Sequence, residues 1–191
     1  MSCLISKGRG YFCQGQVGGI KQIFLANWYD ANKITSVTVD ADTGIVSALT
    51  TSAALDFFQF DLDRQTSSFN QTITTGGGGA VNYEQALDVH LSHDSEESWA
   101  RMQNVVEGVF QCIVLDNNGV YYLLGVDNGI DVTGGTYAHG GDVSYSDYVG
   151  YILQMVGSES FPAYNLSIEN PFTQFSTAIT KSALQYKEPQ A

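Results

Sequence analysis

Residues 56–93, with the sequence DFFQFDLDRQTSSFNQTITTGGGGAVNYEQALDVHLSH, decide the fold class of this chain. From residue 81 onward, the side chains fall into two alternating sets. The first set is Val81, Tyr83, Gln85, Leu87, Val89 and Leu91, and the second is Asn82, Glu84, Ala86, Asp88, His90 and Ser92. A period of two residues is typical of a strand with one face on a core and the other in water. The pattern therefore predicts one long, half-buried strand.

Two more strands are predicted before the glycines of the same stretch. The first has Phe58, Phe60 and Leu62 on its expected core face and Gln59, Asp61 and Asp63 on its expected wet face. In the second, Phe69 and Ile73 alternate with polar residues. Together the three strands predict an antiparallel sheet with a polar, acidic wet face. Such a sheet has edges that must be protected or paired, and pairing with copies of itself is one solution.

Four consecutive glycines, Gly76, Gly77, Gly78 and Gly79, join the second and third of these strands. Glycine loses more backbone entropy on ordering than any other residue. We therefore expect this loop to stay loose unless a neighbouring molecule orders it.

The rest of the chain predicts further strands and one helix. The expected strands are residues 20–28, 35–39, 45–49, 110–115, 120–124, 130–133 and 148–156, with tight turns at 40–44 and 116–119. Asp94, with Glu97 three positions on, forms a capping box, so a helix is expected at about residues 95–107. Its expected apolar stripe is Trp99, Met102, Val106 and Val109.

The 191 residues are enough for one domain with a substantial core. The domain is expected at residues 17–162. Residues 1–16 carry glycines and two bases and are expected to form a basic N-terminal arm. Residues 163–191 have weak periodicity and low charge, and they are expected to form a C-terminal arm.

The net charge of −12 is unevenly distributed. The local charge is +3 over residues 1–39, −16 over residues 40–170 and +1 over the remainder. The bases of the first segment are Lys7, Arg9, Lys21 and Lys33. An acidic body repels phosphate backbones, which argues against a protein that grips nucleic acid. It does not argue against a surface past which DNA slides.

Targeting signals and disulfide patterns are not evident. The chain has no run of 18 apolar residues, and its first 16 residues lack the apolar segment of a secretory signal. Cys3, Cys13 and Cys112 are an odd number at wide spacing, which fits neither a disulfide framework nor a zinc site. We expect a protein made in a cytoplasm, with reduced thiols and no membrane partner.

The sequence contains no recognisable active site. His90 and His93 are three residues apart on a predicted strand, so they point to opposite faces, and His139 is distant in sequence. No nucleophile-elbow motif occurs, and Cys112 lies in an apolar run, where a thiol is inert. We therefore expect a protein that is not an enzyme and binds no metal or cofactor.

The order of the predicted elements resembles that of the tail tube (major tail) proteins of tailed bacteriophages. The shared order is a basic arm, long strands, one central helix, an apolar hairpin, a glycine-rich loop, a last strand and a trailing arm. Residues 7–27, 64–74 and 128–136 are also similar to stretches of virion proteins from phages of Bacteroides-type hosts. The resemblance covers about residues 7–165.

This resemblance implies a mainly β fold, an antiparallel β-sandwich or barrel with one flanking helix and extended N- and C-terminal arms. It implies hexameric rings that stack into a tube in the virion tail, assembled in the host cytoplasm with other tail or neck proteins. DNA would pass through the tube without specific binding. The candidates for lining the channel are Asp61, Asp63, Glu84 and Asp88. The candidates for contacts between subunits or rings are Lys7, Arg9, Asp42, Gly76, Gly77, Gly78 and Gly79.

Three alternatives remain open at this stage. The acidic residues are equally explained as solvated charges on an exterior surface. A tail terminator or a neck (connector) ring protein of the same fold would show the same charge pattern. A monomeric carbohydrate-binding β-sandwich is a third alternative, with Trp28, Tyr121 or Tyr137 as its stacking platform.

Overall fold

A computed structural model describes residues 16–28, 33–51, 53–62, 66–76, 79–92, 96–139 and 149–182, with the backbone alone for residues 96–101 and 139. The described part contains twelve strands and two short helices. The strands are β1 (Ile20–Asn27), β2 (Ile34–Val39), β3 (Val46–Thr51), β4 (Leu55–Asp61), β5 (Ser68–Thr75), β6 (Val81–Ser92), β7 (Val109–Asp116), β8 (Tyr121–Leu124), β9 (Ile130–His139), β10 (Val149–Glu159), β11 (Tyr164–Ser167) and β12 (Ile179–Lys181). The helices are α1 (Glu96–Glu107) and α2 (Pro171–Gln174).

Ten of the strands form one sheet in the order β12-β4-β1-β7-β9-β10-β6-β5, with β8 pairing β7 and β11 pairing β8. Strands β2 and β3 form a separate hairpin. All strand pairs are antiparallel except β12 with β4. The expected mainly β, antiparallel fold is therefore confirmed. Within the described residues no ladder joins β5 to β12, so the sheet is not closed.

Strands β1 and β7 are the centre of the molecule because their apolar side chains lie on both faces. On β1, Ile23 and Leu25 belong to a first core cluster, and Phe24 and Ala26 belong to a second cluster on the opposite face. The first cluster is completed mainly by Leu87 and Val89 of β6, Leu153 and Met155 of β10, and Met102 and Val105 of α1. The second is completed mainly by Ile34, Val46, Leu55, Phe57, Leu123, Leu166, Phe175 and Ile179.

The long strand β6 follows the predicted alternation. Gln85, Leu87 and Val89 are buried, whereas Glu84 is exposed and Asp88 is half-buried. The one polar residue of the buried set, Gln85, accepts a hydrogen bond from the amide of Gly125 (3.1 Å). Its carbonyl oxygen therefore has a partner inside the core, which removes most of the cost of burying it.

The alternation predicted for residues 58–63, most of which lie in β4, is wrong in part. Phe58, which was expected in the core, is 47% exposed, and Phe57 is fully buried. The reason is that β4 pairs with β1 and buries Leu55 and Phe57 in the second cluster, while Phe60 packs on the first. A strand with contacts on both faces does not show one dry and one wet face.

The helix is confirmed at Glu96–Glu107, but its buried side differs from the predicted stripe. Met102 and Val105 are buried in the first cluster, and Val106, which was expected to pack, is exposed. No helix in the described part of the chain is long and apolar enough to cross a bilayer.

Residues 164–182 do not form the expected C-terminal arm. They contain β11, α2 and β12, and Leu166 and Ile179 are fully buried in the second cluster. These elements are only three or four residues long, too short to show a hydrophobic period, so the sequence pattern missed them. The expected single flanking helix is likewise joined by a second, α2. Residues 1–15 of the predicted N-terminal arm lie outside the described residues.

Gln111 connects the β2–β3 hairpin to the central strands. Its buried side chain accepts a hydrogen bond from the Ile34 amide (2.8 Å) and donates to the carbonyls of Ile34 (3.2 Å) and Val126 (3.0 Å). Three backbone groups near the second cluster thus take their partner from one amide. This arrangement fixes the start of β2 and the β8–β9 loop at the same point of β7.

Replacing Gln111 with Leu is expected to lower the free energy of unfolding by about 2–4 kcal/mol, because three buried backbone groups lose their partner. Urea denaturation measures the change. The matched control is Gln103→Leu on the exposed side of α1, which should change the unfolding free energy by less than about 0.5 kcal/mol. Equal effects of the two substitutions would contradict this account of Gln111.

A second buried polar group lies at the end of β10. Glu159 is 3% exposed, and its carboxylate accepts hydrogen bonds from the amides of Asp127 (3.0 Å) and Asn128 (2.9 Å). Burial raises the pKa of Glu159 above its ordinary value of 4.5, and these hydrogen bonds oppose the shift in pKa only in part. The carboxylate shapes the β8–β9 loop at an electrostatic cost.

Because its pKa is higher in the folded state, Glu159 stabilises the fold below pH 4.5, and this contribution is lost as the pH rises through the folded-state pKa. Glu159→Gln has no such titration. The unfolding free energy of the variant relative to the wild type is therefore expected to increase as the pH is raised from 4.5 towards neutrality. Chemical denaturation across this range measures it, and parallel pH profiles would contradict the expectation.

Candidate functional site

The outer face of β9, β10, β6 and β5 is the candidate functional surface. Because Leu87 and Val89 point into the first cluster, the residues between and beside them on β6 point away from the core. Glu84 lies between Thr72 of β5 and Ser158 of β10 in the strand register. Asp88 lies in the same way between Ser68 and Gln154. Each carboxyl group thus has uncharged polar side chains on both neighbouring strands.

This outer face is acidic and contains no lysine or arginine. The sequences of β5, β6, β9 and β10 include neither lysine nor arginine. Asp131 of β9 adds a third carboxyl group, because it pairs with Val156, which pairs with Ala86 on the outer side of β6. Like charges on one surface without counter-charges produce a field that repels a polyanion. Glu159 does not contribute, because it is buried.

Of the four predicted channel-lining residues, the structure brings together only Glu84 and Asp88. They are four residues apart on β6, or about 13 Å at the usual rise of an extended strand. Asp61 is exposed on β4, near the other end of the sheet order, and accepts hydrogen bonds from the side-chain amides of Gln22 (2.6 Å) and Gln59 (2.8 Å). Asp63 lies outside the described residues. A role of these residues in lining a channel stays a prediction.

The predicted contact residues lie at the tips of two hairpins where the structure describes them. Asp42 is exposed at the β2–β3 turn. Asp40 orders this turn, because one of its carboxylate oxygens accepts hydrogen bonds from the amides of Asp42 (3.0 Å) and Thr43 (2.8 Å) and from the Thr43 hydroxyl (2.9 Å). Hydrogen bonding by Thr43 holds the pKa of Asp40 below its ordinary value. Asp40 therefore stabilises the β2–β3 turn.

At the β5–β6 tip, Gly76 donates its amide hydrogen to the Ala80 carbonyl (2.9 Å), and Gly79 donates to the Gly76 carbonyl (3.0 Å). Gly79 has a φ of +79°, a conformation that favours glycine. The remaining contact candidates are Lys7, Arg9, Gly77 and Gly78, which lie outside the described residues. The part of all these residues in subunit contacts stays a prediction.

The aromatic residues considered as carbohydrate platforms are engaged within the molecule. The Lys33 ammonium lies 3.9 Å from the ring centroid of Trp28. The ring centroids of Tyr121 and Phe24 are 6.4 Å apart. Those of Tyr137 and Tyr151 are 4.8 Å apart, so the Tyr151 ring covers one face of Tyr137. Stacking on a sugar requires a bare aromatic face, so these contacts favour packing over sugar binding for Trp28 and Tyr121, whereas Tyr137 remains 39% exposed.

Groups suited to metal binding or nucleophilic chemistry are not assembled in the described part of the chain. No cluster of three or more His, Cys, Asp or Glu residues occurs there that could hold a metal ion. Cys112 is fully buried, and burial raises the pKa of its thiol. His90 belongs to the outer face of β6, His139 is at the end of β9, and His93 lies outside the described residues.

Asp131 was not among the predicted residues of this face, because the strand predicted there was shorter than β9. The expected strand at residues 130–133 extends to residue 139, through two glycines that suggested a loop. Gly135 is required there, because a Cβ atom would come within 2.9 Å of the Ile152 carbonyl oxygen. The alternation of Asp131 and Thr133 with Val132 was the available signal.

Comparison with known protein families, with curated proteins and with solved structures finds no match for this chain.

Reversing the two central charges of the outer face, by Glu84→Lys with Asp88→Lys, is expected to create weak affinity for duplex DNA at low salt. The wild-type protein is expected not to bind. Two phosphate contacts should weaken about tenfold between 50 and 200 mM salt. A gel-shift titration at several salt concentrations measures this.

The matched control is Asp42→Lys with Glu169→Lys, which makes the same change in net charge at two exposed positions outside this face. It is expected to leave DNA binding undetectable. If both double variants bind DNA equally, net charge and not the outer face governs the interaction.

Proposed function

We propose that this chain is a structural protein of a tailed-bacteriophage virion, a tail tube subunit that assembles into stacked hexameric rings enclosing the DNA channel. Its partners are its own copies and other tail or neck proteins, and it assembles in the host cytoplasm before residing in the virion tail. DNA passes through the rings without specific binding. The protein has no catalytic role and uses no cofactor.

The observation that carries this proposal is the acidic outer face, without lysine or arginine, that ends at a sheet edge with no strand partner among the described residues. Glu84, Asp88 and Asp131 supply the charge, and β5 is the last strand of the order. In a ring built by joining sheets, the same face would line a passage whose negative walls prevent a polyanion from sticking. We also propose the β-sandwich or barrel architecture that the resemblance implies.

Negative-stain electron microscopy, together with analytical ultracentrifugation at several salt concentrations, tests the proposal. We expect rings or tubes, and we expect assembly to increase between 0.01 and 1 M salt, because the screening length falls from about 30 Å to about 3 Å and weakens repulsion among the acids. Separate rings that never stack would favour a tail terminator or neck protein instead. A monomer at high protein concentration in every salt condition would overturn the proposal.

A further inference from the structure

In the part of the chain that the structure describes, the outer edge of β5 has no strand partner along its eight residues. β5 pairs only with β6 among the described residues, through eight consecutive residue pairs without a register shift. In an antiparallel strand, alternate residues direct their amide and carbonyl groups to the side without a partner. The edge of β5 therefore presents a regular row of hydrogen-bonding groups.

The edges at β12, β11 and the β2–β3 pair carry features that discourage pairing, and β5 does not. β12 has three residues and ends in Lys181, β11 has four residues and a register shift, and the β2–β3 pair has two register shifts. The sequence of β5, SFNQTITT, contains no charge and no proline, and it is rich in residues that favour strands. Short length, charge and bulges are the usual protections of an edge. Their absence from β5 indicates that this edge is suited to pairing.

Apolar side chains that the core leaves exposed lie at both ends of the sheet order. Ile73 of β5 is 61% exposed and Val81, across from the same strand, is 43% exposed. At the other end, Phe58 of β4 is 47% exposed. Ile73 pairs with Tyr83 and Phe58 pairs with Leu25, so both exposed residues belong to the first-cluster side of the sheet. Joining the two ends would bury both side chains on one continuous face.

The outer edge of β4 is also available over part of its length. β12 pairs with β4 only at Leu55–Phe57, and within the described residues no strand pairs with residues 58–61 on that side. As far as the described residues show, the sheet of one copy therefore ends in an open β5, and the sheet of the next copy begins with a partly open β4.

Charge distinguishes a head-to-tail contact from a two-fold contact between two β5 strands. The β5 end of the order carries Glu84 and Asp88 without a lysine or arginine, so two such ends would place acids beside acids. Strands β12, β4 and β1 carry Lys21 and Lys181 against Asp56 and Asp61, which is neutral by count. Joining β5 to the β4 end avoids the repulsion. A head-to-tail contact of this kind closes into a ring when its rotation divides a full turn.

We infer that the β5 edge of one copy pairs with the residue 58–61 edge of β4 in a second copy, with Ile73 packing against Phe58 across the junction. The inference rests on the proposed self-assembly and specifies which surfaces meet. The partner at the open β5 edge is thus a second copy of this chain, which pairs through its β4 strand.

Cysteine cross-linking tests the pairing directly. In a Cys3→Ser, Cys13→Ser background, where Cys112 is buried, Ile73→Cys and Phe58→Cys proteins are mixed and oxidised. We expect a cross-linked dimer only in the mixture, and a ladder of larger oligomers from the protein that carries both substitutions. Cross-linking of Ile73→Cys with itself would indicate a two-fold β5 contact and overturn the inference. So would the absence of a mixed dimer from protein that still assembles.

A second variant tests the edge without introducing thiols. Ile73→Lys places a charge on the edge at an exposed position, so it should raise the protein concentration needed for assembly on the order of tenfold or more. The control is Ile168→Lys, at a 71% exposed isoleucine outside the sheet, which should leave assembly unchanged. Assembly that is insensitive to Ile73→Lys overturns the inference and leaves the proposed function intact. A wild-type protein that never assembles defeats the proposed function itself.

Discussion

The structure depends on one constraint, the burial of the β1–β7 ladder on both faces. Six consecutive residues of β7, from Phe110 to Leu115, are buried, and the pairing with β1 runs nearly the full length of both strands. A ladder of this kind is stable only when a layer of apolar side chains covers each face. The two core clusters are those layers. Every other element has its place because it contributes to one of them.

The two layers are built in different ways, and this difference determines the surface. The second cluster is covered by short pieces, namely the β2–β3 hairpin, β11, α2 and β12. The first is covered by the long pair β6–β10 and by α1. A strand has two faces, so a long strand that covers a core with one face exposes the other to water unless a further layer covers it. The acidic outer face and the unpaired β5 edge are direct results of how the first cluster is covered, and the proposed self-assembly uses both.

Buried polar groups hold the shorter elements in position. Gln111 connects β2 to β7, and Glu159 organises the β8–β9 loop. On the surface, Asn118 of the β7–β8 turn binds the segment before β1 as a neighbouring strand would, accepting from the Val17 amide (3.0 Å) and donating to the Val17 carbonyl (2.8 Å). Such contacts add little apolar burial, but they set where each segment begins, because a buried or ordered backbone group needs a definite partner.

The amino-acid sequence by itself determined the antiparallel β class, the central helix, the two tight hairpins and the wet, acidic side of β6. These features arise from local periodicity and turn chemistry, which neighbouring residues specify without reference to distant ones. Only the tertiary structure decided that Phe57 and not Phe58 is buried, that residues 164–182 belong to the core, and that Asp131 joins Glu84 and Asp88 on one face. Each of these outcomes depends on which strand lies alongside which. Strand pairing joins residues far apart in the chain, so a short window of sequence does not contain it.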